Sequence, residues 1–379
     1  MRLLSRDLAE TISRSLDEKF PTTSFFLDTD KSRWSKKEIV VSAKNLLTQG
    51  RERLAELDAA KEKKASLEKD LAAIEAFVTQ NLTTNAPGLA LYASAGAKLW
   101  EPIALPTAPR NRLVFDRTPY IRPLSLILDR FRPMLILLLD RREARFFELS
   151  MGALTALAQF RSEIPKKVKS GLVGPEAKRL ERHVDNAVMV HFKRAAQQAF
   201  DLTKKKPYEG FLIGCHNGTC GEFESVLHPY VRERLKGKLG AKPGDPLDKV
   251  LREALAMDAD LRRRAEEDLV ARLLGEVEKG GRAASGLKAC LDHLNKADLR
   301  ELVVTRFFAS PGTSCPRCKL LYLGEDPCPA CARKTLAVLD VVDEAVQKAW
   351  EMKCAVRHIT PPSRLDRYGK IGAFLRFKS

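Results

Sequence analysis

Four cysteines are packed into one short segment, and this clustering constrains the local fold more than any other feature of the chain. In CPRCKLLYLGEDPCPAC, Cys315 and Cys318 form one CxxC pair, and Cys328 and Cys331 form a second pair after nine intervening residues. Each pair is expected to form a tight turn that points two thiolates at one centre, and two such turns complete a tetrahedron that suits zinc. Because four sulfur ligands leave no place for water, the spacing predicts a structural zinc ribbon over 313–333 and not a catalytic metal.

The other four of the eight cysteines are scattered along the chain. Cys215, His216 and Cys220 in GCHNGTC leave a second metal site open as an alternative. Cys215 continues an apolar strand, however, so we expect it to pack as a small hydrophobic side chain. Clustered cysteines in a chain with no secretory signal pattern indicate a metal and not disulfides.

The charge of the chain points to a polyanionic partner. Its 379 residues carry 66 Lys and Arg against 49 Asp and Glu, a net charge of +17. Such an excess favours nucleic acid as the partner, with a solvated basic surface as the alternative. Because no run of 18 uncharged apolar residues exists, the sequence predicts no membrane span, and a cytoplasmic location is expected.

Alternating helix and strand patterns predict three small mixed α/β domains. The predicted domains are 1–131, 132–256 and 257–379, the last containing the zinc ribbon. In the first domain, apolar residues recur in steps of four, three and four within a long helical region, 42–82. We interpret this region as two antiparallel helices with a basic tip, and an intermolecular coiled coil is the alternative. The residues of this apolar stripe are Leu67, Leu71, Ile74 and Val78.

Short apolar runs bounded by turn residues predict buried strands in the middle and third domains. These include Met134–Leu139, the strand within YEGFLIGCHNG, 300–308 and the closing IGAFLRF. A helix is expected over 185–200, and two helices are expected between the AKPGDP loop and Lys279.

A basic, glycine-containing loop precedes the helix of the middle domain. Residues 161–182 hold seven basic and three acidic residues, and two glycines lie among them. Glycine lets a backbone approach a large partner closely, so the segment suits contact with phosphates. The residues predicted to line this RNA-binding loop are Lys166, Lys167, Lys169, Gly171, Gly174, Lys178, Arg179, Arg182 and His183.

No catalytic motif appears in a supporting context. GxSxG, HExxH, Walker and GxGxxG patterns are missing from suitable positions, and the six histidines are spread through the chain. His183 lies nearest the basic loop, but no nucleophile or carboxylate accompanies it in a recognisable motif. Taken residue by residue, the sequence favours a binding protein over an enzyme.

Five segments in a fixed order resemble landmarks of the archaeal and eukaryotic class-I release factors and of Pelota. They are GLALYASAG, RFRPMLILLLDRREARFFEL, IPKKVKSG, YEGFLIGCHNG and YGKIGAFLRF. The resemblance covers about Gly88 to Phe377. It implies three α/β domains arranged roughly like a transfer RNA in the ribosomal A site, surrounded by ribosomal RNA phosphates. Some members of the family carry a similar cysteine ribbon in the third domain.

The match also shows a departure from the release factors. Their Gly-Gly-Gln loop corresponds to VKSGLVGP here, in which no glutamine follows Gly171 or Gly174. The nearest glutamines are Gln159 and Gln197, and no Asn-Ile-Lys-Ser stop-codon motif is present. Pelota also lacks the glutamine, and the chain looks most similar to the bacterial branch that includes Balon-like hibernation factors.

These features predict a non-hydrolytic A-site factor for ribosome hibernation or rescue, with structural zinc as its cofactor. Its expected partners are ribosomal RNA, the P-site tRNA and a translational GTPase such as elongation factor Tu, and off the ribosome we expect a monomer. Two alternatives remain open: a peptidyl-tRNA hydrolase using His183 or the loop backbone, and a zinc-ribbon protein that binds another RNA.

Overall fold

The structure is a computed structural model. The residues it describes are 1–14, 19–56, 59–80, 85–164 and 175–377. They fall into two compact units, one formed by Met1–Arg130 with Glu266–Ser379 and the other by Phe131–Ala265. Each unit contains both sheets and helices, which confirms the predicted mixed α/β class. Every described helix is too short or too polar to span a lipid bilayer.

The N-terminal segment of the first unit builds a five-stranded sheet of order β1-β4-β3-β2-β5. Its strands are β1 (Arg2–Leu3), β2 (Thr22–Asp28), β3 (Gly88–Ser94), β4 (Leu99–Leu105) and β5 (Arg112–Asp116), and its helices are α1 (Arg6–Ser13), α2 (Lys36–Glu56), α3 (Lys61–Gln80) and α4 (Arg122–Arg130). Helices α2 and α3 pack on one face of this sheet. All four residues of the predicted apolar stripe on α3 are buried there. The helices therefore share a core within one chain, which supports the hairpin over the coiled coil.

The second unit contains one five-stranded sheet of order β10-β9-β6-β7-β8. Its strands are β6 (Met134–Leu139), β7 (Glu143–Ser150), β8 (Ala153–Arg161), β9 (Gly210–Gly214) and β10 (Leu235–Leu239). Its helices are α5 (Pro175–Lys205), α6 (Asn217–Val226), α7 (Pro229–Arg232) and the residues of α8 (Leu247–Glu278) up to Ala265. Strand β6 lies at the centre, parallel to β9 and antiparallel to β7.

The continuous apolar run of β6 follows from its position between two layers of helices. Leu135, Leu137 and Leu139 belong to the core that contains residues of α5 and α6. Met134 and Ile136, with Leu138, belong to the opposite core, which contains residues of α8. Successive side chains of a strand point to opposite faces, so a strand covered on both faces needs apolar residues at every position. The predicted bounds of this strand are confirmed.

Two features of the second unit differ from the sequence expectations. The residues between 247 and 279 form the single helix α8 of 32 residues and not two helices. No proline or glycine lies between Leu247 and Arg272 to break it, and apolar residues recur often enough to keep one face in the core. Strand β8 was not predicted, because its alternation is masked by alanines at an edge where most side chains are partly or fully exposed.

The C-terminal segment of the first unit holds a four-stranded sheet of order β11-β17-β12-β16 and a three-stranded sheet of order β14-β13-β15. The elements are β11 (Ala283–Ser285), α9 (Leu287–Asn295), β12 (Leu299–Thr305), β13 (Gly312–Ser314), β14 (Leu321–Tyr322), β15 (Leu336–Val338), α10 (Val341–Glu351), β16 (Ala355–Ile359) and β17 (Ile371–Leu375). Helices α9 and α10 cover one face of the larger sheet. The residues of α8 from Leu269 to Leu274 cover the other.

A buried ion-pair network joins the N-terminal and C-terminal segments of the first unit. The Arg122 guanidinium on α4 donates to Asp343 at 2.6 Å and to Asp340 at 3.1 Å, and it also donates to the Phe308 carbonyl. Asp340 caps the N-terminus of α10, where a carboxylate is favoured by the free backbone N–H groups. Nearby, Ser125 on α4 lies 2.7 Å from the buried His358 ring on β16. The sequence did not predict this network.

Glu344 in the first turn of α10 makes the stability of this region depend on pH. Burial raises the pKa of Glu344 to about 7, and the charges of Asp116 and Asp343 add to the effect. The folded protein therefore holds this proton more tightly than the unfolded chain, so its stabilising contribution is complete below the unfolded pKa of about 4.5 and is lost as the pH rises through about 7.

At pH 8 we expect the free energy of unfolding of the Glu344→Gln variant to be about 1 to 2 kcal/mol higher than that of the native protein. At pH 4.5 we expect little difference between the two. Urea denaturation at both pH values measures the difference. Burial lowers the pKa of His358 to about 3, which affects stability in the opposite direction, but His358 is present in both proteins and its contribution cancels. An equal difference at both pH values would contradict this assignment.

The three predicted domains stay a prediction, although the second unit, Phe131–Ala265, overlaps the predicted middle domain 132–256. Residues 1–130 of the predicted first domain and 266–379 of the predicted third domain lie within one compact unit. They nevertheless keep separate sheets and separate cores.

Candidate metal centre and candidate polyanion-binding surface

The two CxxC pairs come together in the three-stranded sheet of the C-terminal segment. Cys315 and Cys331 have their Sγ atoms 3.4 Å apart, and Cys318 and Cys328 have theirs 3.5 Å apart. All four sulfur atoms lie within 4.8 Å of one another. A zinc–sulfur bond of about 2.3 Å places the sulfurs of a tetrahedral site about 3.8 Å apart, so the observed spacing suits such an ion.

The two cysteine turns have the same backbone construction. In the first, Cys315 accepts from the Lys319 N–H and donates its own N–H to Leu320; in the second, Cys328 bonds in the same way to Ala332 and Arg333. Lys319 and Ala332, each directly after the second cysteine of its pair, adopt positive φ angles of 57° and 54°. Non-glycine residues rarely adopt this conformation. Its occurrence at the same position of both turns indicates that the two turns share one backbone geometry.

The surroundings favour the thiolate form at Cys315 and Cys328, whereas burial raises the pKa of Cys318, and the pKa of Cys331 is raised as well. Burial raises the pKa of Cys328, but hydrogen bonding from the Tyr322 hydroxyl and from backbone N–H groups outweighs it, and the resulting pKa is about 6. The Tyr322 oxygen lies 3.6 Å from Cys328 Sγ. A backbone N–H group of Cys318 lowers the pKa of Cys315. Thiolate is the form that binds metal.

Asn295 at the end of α9 attaches the cysteine turns to the core. Its side chain donates to the Leu321 carbonyl at 2.8 Å and accepts from the Leu321 N–H at 3.1 Å, like a neighbouring strand. Lys348 on α10 bonds both to Asn295 and to the Lys319 carbonyl. These contacts fix the first turn against α9 and α10. The predicted convergence of the four cysteines is thus observed, and they could hold one metal ion.

The basic loop is described only in part. Lys166, Lys167, Lys169, Gly171 and Gly174 lie outside the described residues. The remaining predicted residues, Lys178, Arg179, Arg182 and His183, lie exposed on the first turns of α5.

No carboxylate among the described residues forms an ion pair with Lys178, Arg179 or Arg182. The start of α5 therefore presents positive charge to solvent. An exposed set of cations on one short helical surface suits a phosphate backbone.

The two glutamines nearest the loop in sequence both have structural partners. The Gln159 amide on β8 donates to Glu143 at 2.8 Å, and the Gln197 amide on α5 donates to Asp201 at 2.9 Å. His183 is exposed and has no nucleophile or carboxylate partner within the described part of the chain.

Ser162, just before the basic loop, forms a pair with His191 on α5. The sequence did not predict this pair. Ser162 Oγ lies 2.8 Å from His191 Nδ1, and burial lowers the pKa of this histidine. Phe160 lies edge-on to the ring with centroids 5.4 Å apart. The contact ties the end of β8 to α5. Residues 29 positions apart give no local signal of such a pair.

Cys215 and Cys220 are joined by a disulfide, which corrects the expectation that Cys215 packs as an isolated small side chain. Both residues are buried, so the packing environment was predicted but the bond was not. The end of β9 and the first turn of α6 bring the Cα atoms to 5.7 Å, a normal distance for a bridge. With its two sulfurs bonded to each other, this segment does not offer the second metal site.

Residues 119–259 match the family described as bacterial archaeo-eukaryotic release factor family 10. A peptide chain release factor subunit 1 from Methanococcus maripaludis is 28% identical over 214 residues, covering 53% of this chain and 50% of that protein. The Methanocaldococcus jannaschii protein of the same description is 29% identical over 203 residues, covering 50% and 47%. The chain therefore spans about half the length of the curated relatives it matches.

Solved structures of Pelota also align with the chain. The Archaeoglobus fulgidus protein aligns over 100% of this chain and 94% of its own, at 12% identity and a TM-score of 0.38. An archaeal Pelota described as ribosome-bound with ABCE1 aligns over 100% and 96%, at 12% identity and a TM-score of 0.44. The middle of the chain is thus similar to a bacterial family of archaeo-eukaryotic release factors, and about half of the chain is similar to archaeal peptide chain release factors.

Proposed function

We propose that the chain is a translation factor that occupies the ribosomal A site during hibernation or rescue and does not hydrolyse peptidyl-tRNA itself. The observation that carries the proposal is the similarity to release factors combined with a segment, 164–183, that contains six lysines and arginines before His183 but no glutamine. Release factors depend on such a glutamine, and here the neighbouring Gln159 and Gln197 are held by Glu143 and Asp201.

The charge distribution supports a ribosomal RNA partner. The net charge of +17 exceeds what solubility requires, and the exposed cations at the start of α5 lack acidic partners among the described residues. Ribosomal RNA supplies phosphates on every side of the A site. We infer a cytoplasmic location, a monomer off the ribosome, contact with the P-site tRNA and delivery by a translational GTPase such as elongation factor Tu.

We also infer that the cysteine cluster binds zinc in a structural role. The donor set is four thiolates, which zinc accepts readily, and all four positions of a tetrahedron are filled by protein. When bound, zinc would cross-link β13 and β14 to the second cysteine turn and add no reactive group. The third domain would then keep its fold for contacts with other components of translation.

Co-sedimentation with ribosomes across a salt series tests the RNA-binding proposal. We expect the affinity to fall steeply as the salt concentration rises. The combined Lys166→Ala, Lys167→Ala and Lys169→Ala variant should reduce the magnitude of the slope of log affinity against log salt by about 2 to 3. The matched control replaces the same three lysines with arginine, which keeps the charge and should keep the slope. Ribosome binding indifferent to salt would rule the proposal out.

A second candidate function is peptidyl-tRNA hydrolysis with a different side chain. It is favoured by the curated relatives, which are described as peptide chain release factors, and by the exposed His183 next to the loop. Single-turnover release of labelled peptide from ribosomes separates the two. No release above background supports the binding factor, while release that disappears in a His183→Ala variant supports the hydrolase.

A further inference from the structure

A cluster of aromatic rings and cations lies at the far end of α5 from the basic loop. The Phe200 and His228 rings stack with centroids 4.3 Å apart and planes 30° apart, and Tyr230 meets Phe200 edge-on at 6.3 Å. Lys204 Nζ lies 4.3 Å from the Phe200 centroid, and the Arg234 guanidinium carbon lies 3.7 Å from the Tyr230 centroid. We call these five residues the α5 end cluster.

The α5 end cluster is on the surface and not in the core. Tyr230 keeps 39% of its area exposed, and both His228 and Lys204 are exposed. Aromatic residues gain free energy from burial, so a rigid exposed group of them needs an explanation beyond packing. Single exposed rings are common, but three rings in contact with two cations form a more specific surface.

Hydrogen bonds fix the outer members of the cluster in place. His228 Nδ1 accepts from the Tyr230 N–H at 3.2 Å as the cap of α7, and Pro229 follows at the first helical position. Arg234 donates to the Tyr230 carbonyl at 2.9 Å, which holds the guanidinium over the ring. The surface is therefore formed before any ligand arrives, which lowers the entropy cost of binding.

The charge around the cluster is strongly positive. Residues 204–206 and 232–238 contain seven basic residues and one acidic residue. Two of the seven, Lys206 and Lys238, pair with glutamates, which leaves the cations nearest the rings to interact with a ligand. Proteins bind unpaired nucleotides with aromatic rings that stack on the bases and with neighbouring cations that neutralise the phosphates.

We propose that the α5 end cluster is a binding site for unpaired nucleotides of RNA, with a base stacked on Tyr230 and Arg234 and the neighbouring phosphates held by Lys204 and Lys205. This site rests on the ribosome-binding function proposed above and adds a second RNA contact to it. Helix α5 has 31 residues and spans about 46 Å, so the two contacts would lie at opposite ends of one rigid helix. An arginine stacked on a tyrosine offers a flat cationic surface to a base.

Binding of a fluorescent 12-nucleotide oligoadenylate to the full chain tests the site without ribosomes. We expect Tyr230→Ala to weaken binding about tenfold, since one stacked base contributes on that order. The matched control Tyr230→Phe keeps the ring and should bind like the native chain. Ultraviolet cross-linking followed by mass spectrometry should place a nucleotide adduct in peptide 229–236 of the native chain and not of the alanine variant.

Ribosome co-sedimentation separates this proposal from the proposed function. If the native chain and the Tyr230→Ala variant bind both oligoadenylate and ribosomes equally, the nucleotide site is overturned while the ribosome-binding function stands. If the native chain binds oligoadenylate through Tyr230 but does not bind ribosomes, the site stands and the proposed function fails. Polyglutamate binding that weakens in the Tyr230→Ala variant, with no loss of oligoadenylate binding, would mark the cluster as a site for acidic peptides and overturn the RNA assignment.

Discussion

Removal of the proposed zinc ion is expected to unfold the small sheet of the C-terminal segment while the second unit stays folded. Strand β14 has two residues and strands β13 and β15 have three each, too few to persist without a cross-link. Structural zinc sites contribute about 10 to 16 kcal/mol in isolated metal-dependent modules, so the loss here should be large. Hydrogen exchange should show loss of protection over 313–338 after chelation.

The Cys318→Ser and Cys328→Ser variants should reproduce the effect of chelation, and elemental analysis should fall from one zinc per chain to none. Cys354→Ala is the matched control, because this buried cysteine lies outside the cluster and its loss should leave the zinc content unchanged. Native protein purified without any bound metal, with 313–338 fully protected, would show that hydrogen bonds alone maintain the two cysteine turns.

The second large effect that we expect is a loss of stability in the Arg122→Ala variant. The Arg122 side chain is only 7% exposed and pairs with both Asp340 and Asp343, so its removal leaves two neighbouring carboxylates without their buried cation. Breaking a buried ion pair by removing one partner costs about 3 to 5 kcal/mol. Urea denaturation of the native protein and the variant measures this loss in the free energy of unfolding.

Arg112→Ala provides the control for this prediction. Arg112 approaches the same Asp343 at 3.9 Å, but its side chain is 46% exposed. Ion pairs in such surroundings contribute about 1 kcal/mol or less, so this variant should lose little stability. If the two arginine variants lose the same stability, the network around Arg122 does not hold the N-terminal and C-terminal segments together.

Local patterns predicted the parts of the fold that depend on neighbouring residues. The run MLILLL identified β6 to its first and last residue, because both faces of that strand are buried. The α3 stripe and the two CxxC pairs were also predicted, because helical periodicity and ligand spacing can be read from one short window of sequence.

The features that the sequence did not predict depend on contacts between side chains from different elements. The Arg122 network joins residues more than 200 positions apart, and an arginine in a helix gives no sign that it will be buried. The α5 end cluster combines residues from α5 with residues in and beside α7, and strand β9 and helix α6 separate the two in the chain. The Cys215–Cys220 disulfide was missed because clustering elsewhere in the chain suggested metal binding.

Cryo-electron microscopy of the full chain bound to ribosomes that carry P-site tRNA tests the central claim most directly. We predict density for the chain in the A site, with residues 165–174 approaching the acceptor end of the tRNA and the start of α5 facing ribosomal RNA. Density at another ribosomal site, or a loop packed against the chain's own surface and away from the tRNA, would contradict an A-site factor that acts through this loop.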